Sequence, residues 1–168
     1  MGRGEHRKQW DVVYDRFAFR PSIKEFPGFA EPADSVTFSL AGVYGVSEEH
    51  YWRVRRACED AAIASFRELL PPSGWLYALE WQSSSYRFRP HLPVEVDELG
   101  DWVLPFLPNG DYYLFADPKW RFGTLGHPWE QTLCVFGDEL LRVLVSRLEA
   151  VLGKPVRRGG RLVEPESR

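Results

Sequence analysis

The stretch Trp75-Leu76-Tyr77-Ala78-Leu79-Glu80-Trp81-Gln82 decides the fold. Successive side chains of an extended chain alternate between two faces. Trp75, Tyr77, Leu79 and Trp81 therefore share one face, and Leu76, Ala78, Glu80 and Gln82 the other. Residues 83–85 are three serines that read as a turn, and 86–89 returns as a partner strand. Further downstream, 102–107 is apolar and 112–116 reads as a strand. Between them Pro108-Asn109-Gly110-Asp111 is a turn signal, because Asn-Gly accepts the positive φ of tight turns. Residues 120–124 and 132–136 add two more strand-like runs. Upstream, residues 35–41 alternate, with Val36, Phe38 and Leu40 on one side.

Helical signals bracket this block. Ser47 is placed to cap a helix, and Glu48 and Glu49 suit the positive end of its dipole. Tyr51, Val54, Cys58, Ala62, Phe66 and Leu69 follow at spacings of three or four, until Pro71-Pro72 ends the run. A second helix begins near Asp138, carries Leu140, Leu144 and Leu148 on its apolar face, and stops at Gly153. A shorter one is expected around Trp10, Val13, Tyr14 and Phe17. Helices on either side of many short strands predict an α+β fold: a mostly antiparallel sheet of about five strands, with the two longer helices packed on one face.

Residues 1–153 are expected to form one α+β domain, and the 168-residue chain fits that size. Residues 154–168 hold five basic and two acidic residues, with Gly159-Gly160 and Pro165, and read as a disordered basic tail. The preceding 153 residues carry 16 basic and 22 acidic side chains, a balance of −6. Such a body argues against nucleic acid, which needs a basic face. No apolar run approaches the length of a membrane span, and the start of the chain does not read as a signal peptide. The expectation is a soluble, cytoplasmic protein. The two cysteines, Cys58 and Cys134, lie in apolar runs and read as reduced core residues.

The polar residues that could carry chemistry are His127, His91, Glu80 and Asp111, with Glu130 beside them. Histidine serves as acid, base or metal ligand near neutral pH, and a carboxylate could orient it or share a metal. Each has a plainer reading. Glu80 could pair with Arg87 across its hairpin. His91, in Arg-Pro-His-Leu-Pro, could be a hydrogen-bonded loop residue. Asp111 could close the Asn-Gly turn on backbone N–H groups. His127, held extended before Pro128, could bond a carbonyl and stack on Trp129. No metal-ligand spacing, nucleophile elbow or Cys-x-x-Cys is present, and Gly123-Thr124-Leu125-Gly126 is followed by His-Pro rather than the Lys of a phosphate loop. No metal site or cofactor is expected. Trp52 lies off the apolar stripe of its helix. It marks a partner surface or sits under a neighbouring loop; with Trp129 and Glu130 it completes the candidate binding residues. The 14 aromatics between Trp75 and Phe136 read first as core and second as a ligand platform.

The ordered set Ala78-Leu79-Glu80-Trp81-Gln82, Tyr86-Arg87-Phe88-Arg89-Pro90-His91, Pro108-Asn109-Gly110-Asp111-Tyr112-Tyr113, and the run from Gly123 through His127-Pro128-Trp129-Glu130 to Thr132 resembles the bacterial family catalogued as domain of unknown function 2716. The resemblance covers roughly residues 8 to 153. It implies a bacterial, soluble protein and brings no catalytic residue with it. Two functions are therefore expected in order: a non-enzymatic module that binds another protein, as immunity proteins do, and, as the alternative, a hydrolase or metal-dependent enzyme with a His/carboxylate cleft. The second requires His127, His91 and Glu80 or Asp111 to converge.

Overall fold

The computed structural model describes residues 1–164. Its elements in chain order are α1 (Arg3–Phe17), β1 (Ser35–Ser39), α2 (Glu48–Leu69), β2 (Leu76–Glu80), β3 (Ser85–Phe88), β4 (Tyr113–Ala116), β5 (Gly123–His127), β6 (Thr132–Phe136), α3 (Asp138–Leu152), β7 (Arg157–Arg158) and β8 (Arg161–Leu162). The strands form one sheet, ordered β3-β2-β4-β5-β6-β1-β7-β8, and each pair is antiparallel. The fold is α+β, as expected, but the sheet has eight strands rather than about five.

Strand alternation feeds two cores. Phe38, Leu76, Phe115 and Val135 face α2 and α3, and pack with Cys58, Phe66, Leu144 and Leu148. Leu79, Leu114, Leu125 and Phe136 face the other way, against Trp10, Val13 and Phe17 of α1. Both faces are covered, so β4, β5 and β6 are buried at every position. This accounts for the aromatic load: Phe66 stacks on Phe115 in one layer, and Phe17 meets Phe136 at 5.1 Å in the other.

The α2 cap forms as read, with the Ser47 hydroxyl accepting the His50 N–H at 3.1 Å. Two expectations change, and the apolar run 102–107 finds its place outside the strands. Pro105 has no N–H to give a ladder, and Leu104, Phe106 and Leu107 instead fill the core beneath α2. The strand expected at 120–124 begins at Gly123, because Asp117 holds a turn: its carboxylate accepts the Lys119 and Arg121 N–H groups, and Trp120 takes φ +59°. The tail is the second. Residues 154–164 are not a free end: they run beside β1 and turn back as the β7–β8 hairpin. Residues 165–168 lie outside the described residues.

Candidate functional site

His127 closes β5 on the α1 face and is fully buried. Its Nδ1 accepts the Glu130 backbone N–H at 3.1 Å. That assigns the ring proton to Nε2, which faces the Tyr112 hydroxyl at 3.3 Å. The hydroxyl also accepts the Ser22 N–H at 3.0 Å and donates to the Ser22 carbonyl at 3.2 Å. Every polar atom of the imidazole is satisfied in its neutral form. Burial pushes its pKa down to about 4, with Glu130 opposing and Arg157 assisting. The ring is packed edge-on by Phe26 and Tyr112, with Trp129 at 6.3 Å. Such a histidine braces the irregular 21–30 segment against the sheet and has no lone pair free for a substrate.

Glu130 is equally committed. Its two carboxylate oxygens accept from Arg157 Nη1 at 2.7 Å and Nη2 at 2.9 Å, and Thr132 donates a third bond. Arg157 also grips Glu31, whose side chain is 1% exposed. Burial alone would raise the Glu130 pKa, but the Arg157 hydrogen bonds hold it below the usual carboxylate range. The arginine thus sits between two carboxylates, and the network ties β7 to the β5–β6 turn.

Asp111 accepts the Gln82 N–H at 2.9 Å and the Tyr112 N–H at 2.7 Å, so it joins the β2–β3 turn to the start of β4. Glu80 does not pair with Arg87, which reaches Glu5 at 3.2 Å instead. Burial raises the Glu80 pKa, the Ser84 backbone and Ser83 side chain lower it, and nearby Asp111 adds to the rise. His91 Nε2 donates to the Leu70 carbonyl at 2.8 Å, and Arg67 Nε donates to the Pro90 carbonyl at 2.6 Å; together they fix the 89–92 turn to the end of α2. His91 therefore belongs to the α2 side of the sheet and His127 to the α1 side. The residues needed for a catalytic cleft do not converge. Among the described residues no group of three or more His, Cys, Asp or Glu is arranged to hold a metal ion.

The two candidate tryptophans also lie on opposite faces. Trp52 is half-buried on α2, with the Arg55 guanidinium 4.9 Å from its ring and Glu48 accepting from its Nε1 at 3.4 Å. Trp129 is 38% exposed in the β5–β6 turn, edge-on to Tyr112.

The structure also contains a cleft that the sequence reading passed over. It has a volume of about 270 Å³ and lies between β3 and residues 92–104. Tyr86, Phe88, Trp102 and Leu104 form its apolar wall, with Arg89 and Glu95 at its rim. The base of the covering segment is anchored. Trp102 packs on Phe88 at 5.2 Å, Asp101 lies 3.8 Å from buried Arg55, and His91 holds the entry. Its tip is a small hairpin. Val96 bridges Trp102, Asp97 accepts the Leu99 and Asp101 N–H groups through its side chain, and Gly100 takes φ +83°. Leu92, Val96, Leu99 and Val103 project from this segment into solvent, Leu99 at 83% exposure. The signal in the sequence was the alternation of Leu92, Val94 and Val96 around Pro93 and Glu95, with Leu99 beyond, a short strand-like run next to no other element.

This is an α+β protein with a braced core and an apolar surface cleft. Residues 1–141 match the family described as "Protein of unknown function (DUF2716)", and the chain belongs to that family. It is 46% identical over 69 residues to the "Uncharacterized protein YxiI" of Bacillus subtilis (strain 168); the match covers 41% of this chain and 43% of that protein. No solved structure matches.

Proposed function

We propose that this chain is a non-enzymatic protein-binding module of the immunity-protein kind, and that it engages its partner with the cleft beside β3. The observation that carries this reading is the exposed apolar set of the covering segment: Leu92 and Val103, which line the cleft, and Val96 and Leu99 on the hairpin beyond it. Contiguous exposed apolar surface with a polar rim is characteristic of interaction sites. His127, His91 and Asp111 are engaged in hydrogen bonds that hold the fold. Nucleic acid is disfavoured further by the fate of the basic tail: Arg157 is spent on Glu31 and Glu130, and Arg158 faces Glu149 at 3.4 Å. Among the described residues no helix is long and apolar enough to cross a membrane. We place the protein in the bacterial cytoplasm, a compartment that suits its two unpaired, buried thiols.

The test is affinity capture of the full chain from its host, in parallel with Leu99→Asp, Val96→Asp, Trp52→Ala and Trp129→Ala. The reading expects one stoichiometric protein that is retained by both tryptophan variants and lost with both aspartate variants. Capture that is indifferent to Leu99 and Val96 would remove the cleft from the account.

A further inference from the structure

β3 is an edge strand, and its register shows which of its backbone groups are free. Glu80 N–H bonds the Ser84 carbonyl at 3.2 Å, and Leu79 stands opposite Ser85. Hydrogen-bonded and non-hydrogen-bonded pairs alternate along an antiparallel ladder. Ala78 with Tyr86 and Leu76 with Phe88 are therefore the bonded pairs. Ser85 and Arg87 turn their N–H and C=O groups away from β2, and no backbone group among the described residues takes them up. Ser85 is buried, with its hydroxyl against His6 of α1, so the edge is open at Arg87 and at the exposed Arg89 that follows. Proteins generally cover or blunt such an edge. Here the open groups of Arg87 lie beside an apolar cleft lined by two cations, Arg87 on the strand and Arg89 just past its end, with Glu95 on the covering segment.

We infer that the partner docks by strand addition: an extended segment of another protein pairs with the outer edge of β3, inserts an apolar side chain into the cleft, and presents a carboxylate to Arg89. The inference rests on the protein-binding reading above and specifies how that binding is made. Main-chain bonds to Arg87, on the exposed end of the edge, supply affinity, and alternate side chains supply selectivity. Charge selects the occupant. Arg87 is shared with Glu5 at 3.2 Å, whereas Arg89 has no ion-pair partner among the described residues. An acidic strand would pair with it, and a second copy of this chain would bring the same two cations to the edge.

Proline gives a specific probe. The Arg87 N–H points outward, so Arg87→Pro removes a donor to the partner while leaving the β2–β3 ladder intact, and edge positions of this kind tolerate proline. Arg87→Ala is the control, since it removes the Glu5 ion pair and the stacking on Trp75 at 4.8 Å but keeps the N–H. The full chain would be used to select binders from a phage-displayed library of random linear peptides. The expected winners alternate apolar and polar residues and contain an acid. Their affinity should fall by about tenfold or more for Arg87→Pro and stay within about threefold for Arg87→Ala. Independently of any protein variant, N-methylation along a selected peptide should abolish binding at every second residue. No enrichment, or a flat methylation scan with equal affinity for Arg87→Pro, overturns strand addition. So does a wild-type dimer that Arg87→Pro converts to monomer, because the occupant is then a second copy. If these fail while host capture still depends on Leu99 and Val96, the mode is wrong and the module reading stands. If capture ignores those residues, the module reading itself falls.

Discussion

Arg157 bonds Glu130 through both terminal nitrogens, at 2.7 and 2.9 Å, across 27 residues of sequence. The same guanidinium holds Glu31 from 126 residues away. Two buried carboxylates thus share one cation, and the strand that carries it is only two residues long. Removing one partner of a buried ion pair strands the other charges without solvent. Arg157→Ala is expected to lower stability by about 3–5 kcal/mol at pH 7, measured by urea denaturation. The deficit should shrink on acidification. Glu130 is held below its usual pKa of 4.5, so its contribution is complete above that value and is lost as pH falls through the lower, folded one.

His127 gives a second pH signature. Its folded pKa is about 4 against an ordinary 6.5. The unfolded chain takes up the proton first, so the stability due to neutral His127 is complete above pH 6.5 and drains away as pH falls towards 4. The full loss is roughly 3 kcal/mol. Denaturation at several pH values should show this slope in the native sequence and a flatter one in His127→Gln. Nitrogen chemical shifts of the ring should report the Nε2–H tautomer at pH 5.5.

Both thiols are protected by burial, which pushes Cys58 and Cys134 up to about 12. The thiolate is the reactive form. Neither cysteine should react with iodoacetamide at pH 8 in the folded protein, and both should react in denaturant. Rapid modification of the native chain would show that one of the cores is open.

Gly137 precedes α3 at φ +90°, and a Cβ there would overlap the Arg121 carbonyl and Phe122. Gly137→Ala is expected to cost about 1–3 kcal/mol from backbone conformation alone, with the steric overlap added. Thermal unfolding checks it against Gly42→Ala, where a Cβ meets open space.

Much of this architecture is written in local pattern. Ser47 and Pro71-Pro72 bound α2, and the alternation around Phe38 and Leu79 marks strands, because those signals act within a few residues. The remainder depends on distant partners. Residues 102–107 read as an apolar run, and only the space beneath α2 shows where they go. β7 exists because Glu31 and Glu130 meet around Arg157, and nothing near Arg157 announces that. Of the plainer readings, His91 takes its loop hydrogen bond and Asp111 bonds backbone N–H groups, those of Gln82 and Tyr112, whereas His127 bonds the Tyr112 hydroxyl and the Glu130 N–H rather than a carbonyl and meets Trp129 edge-on rather than stacked. The cleft beside β3 was illegible because the short alternation at 92, 94 and 96 is interrupted by Pro93 and says nothing of what it lies against; its shape comes from the Val96–Trp102 bridge and the Arg55–Asp101 contact.

The most direct measurement is amide hydrogen exchange of the full chain, alone and saturated with its captured partner. Slowed exchange concentrated at the Arg87 amide and across 92–103, with α2 around Trp52 and the Trp129 turn unchanged, is the predicted result. Protection centred on Trp52 or Trp129, with residues 85–103 exchanging as in the free protein, would contradict the account.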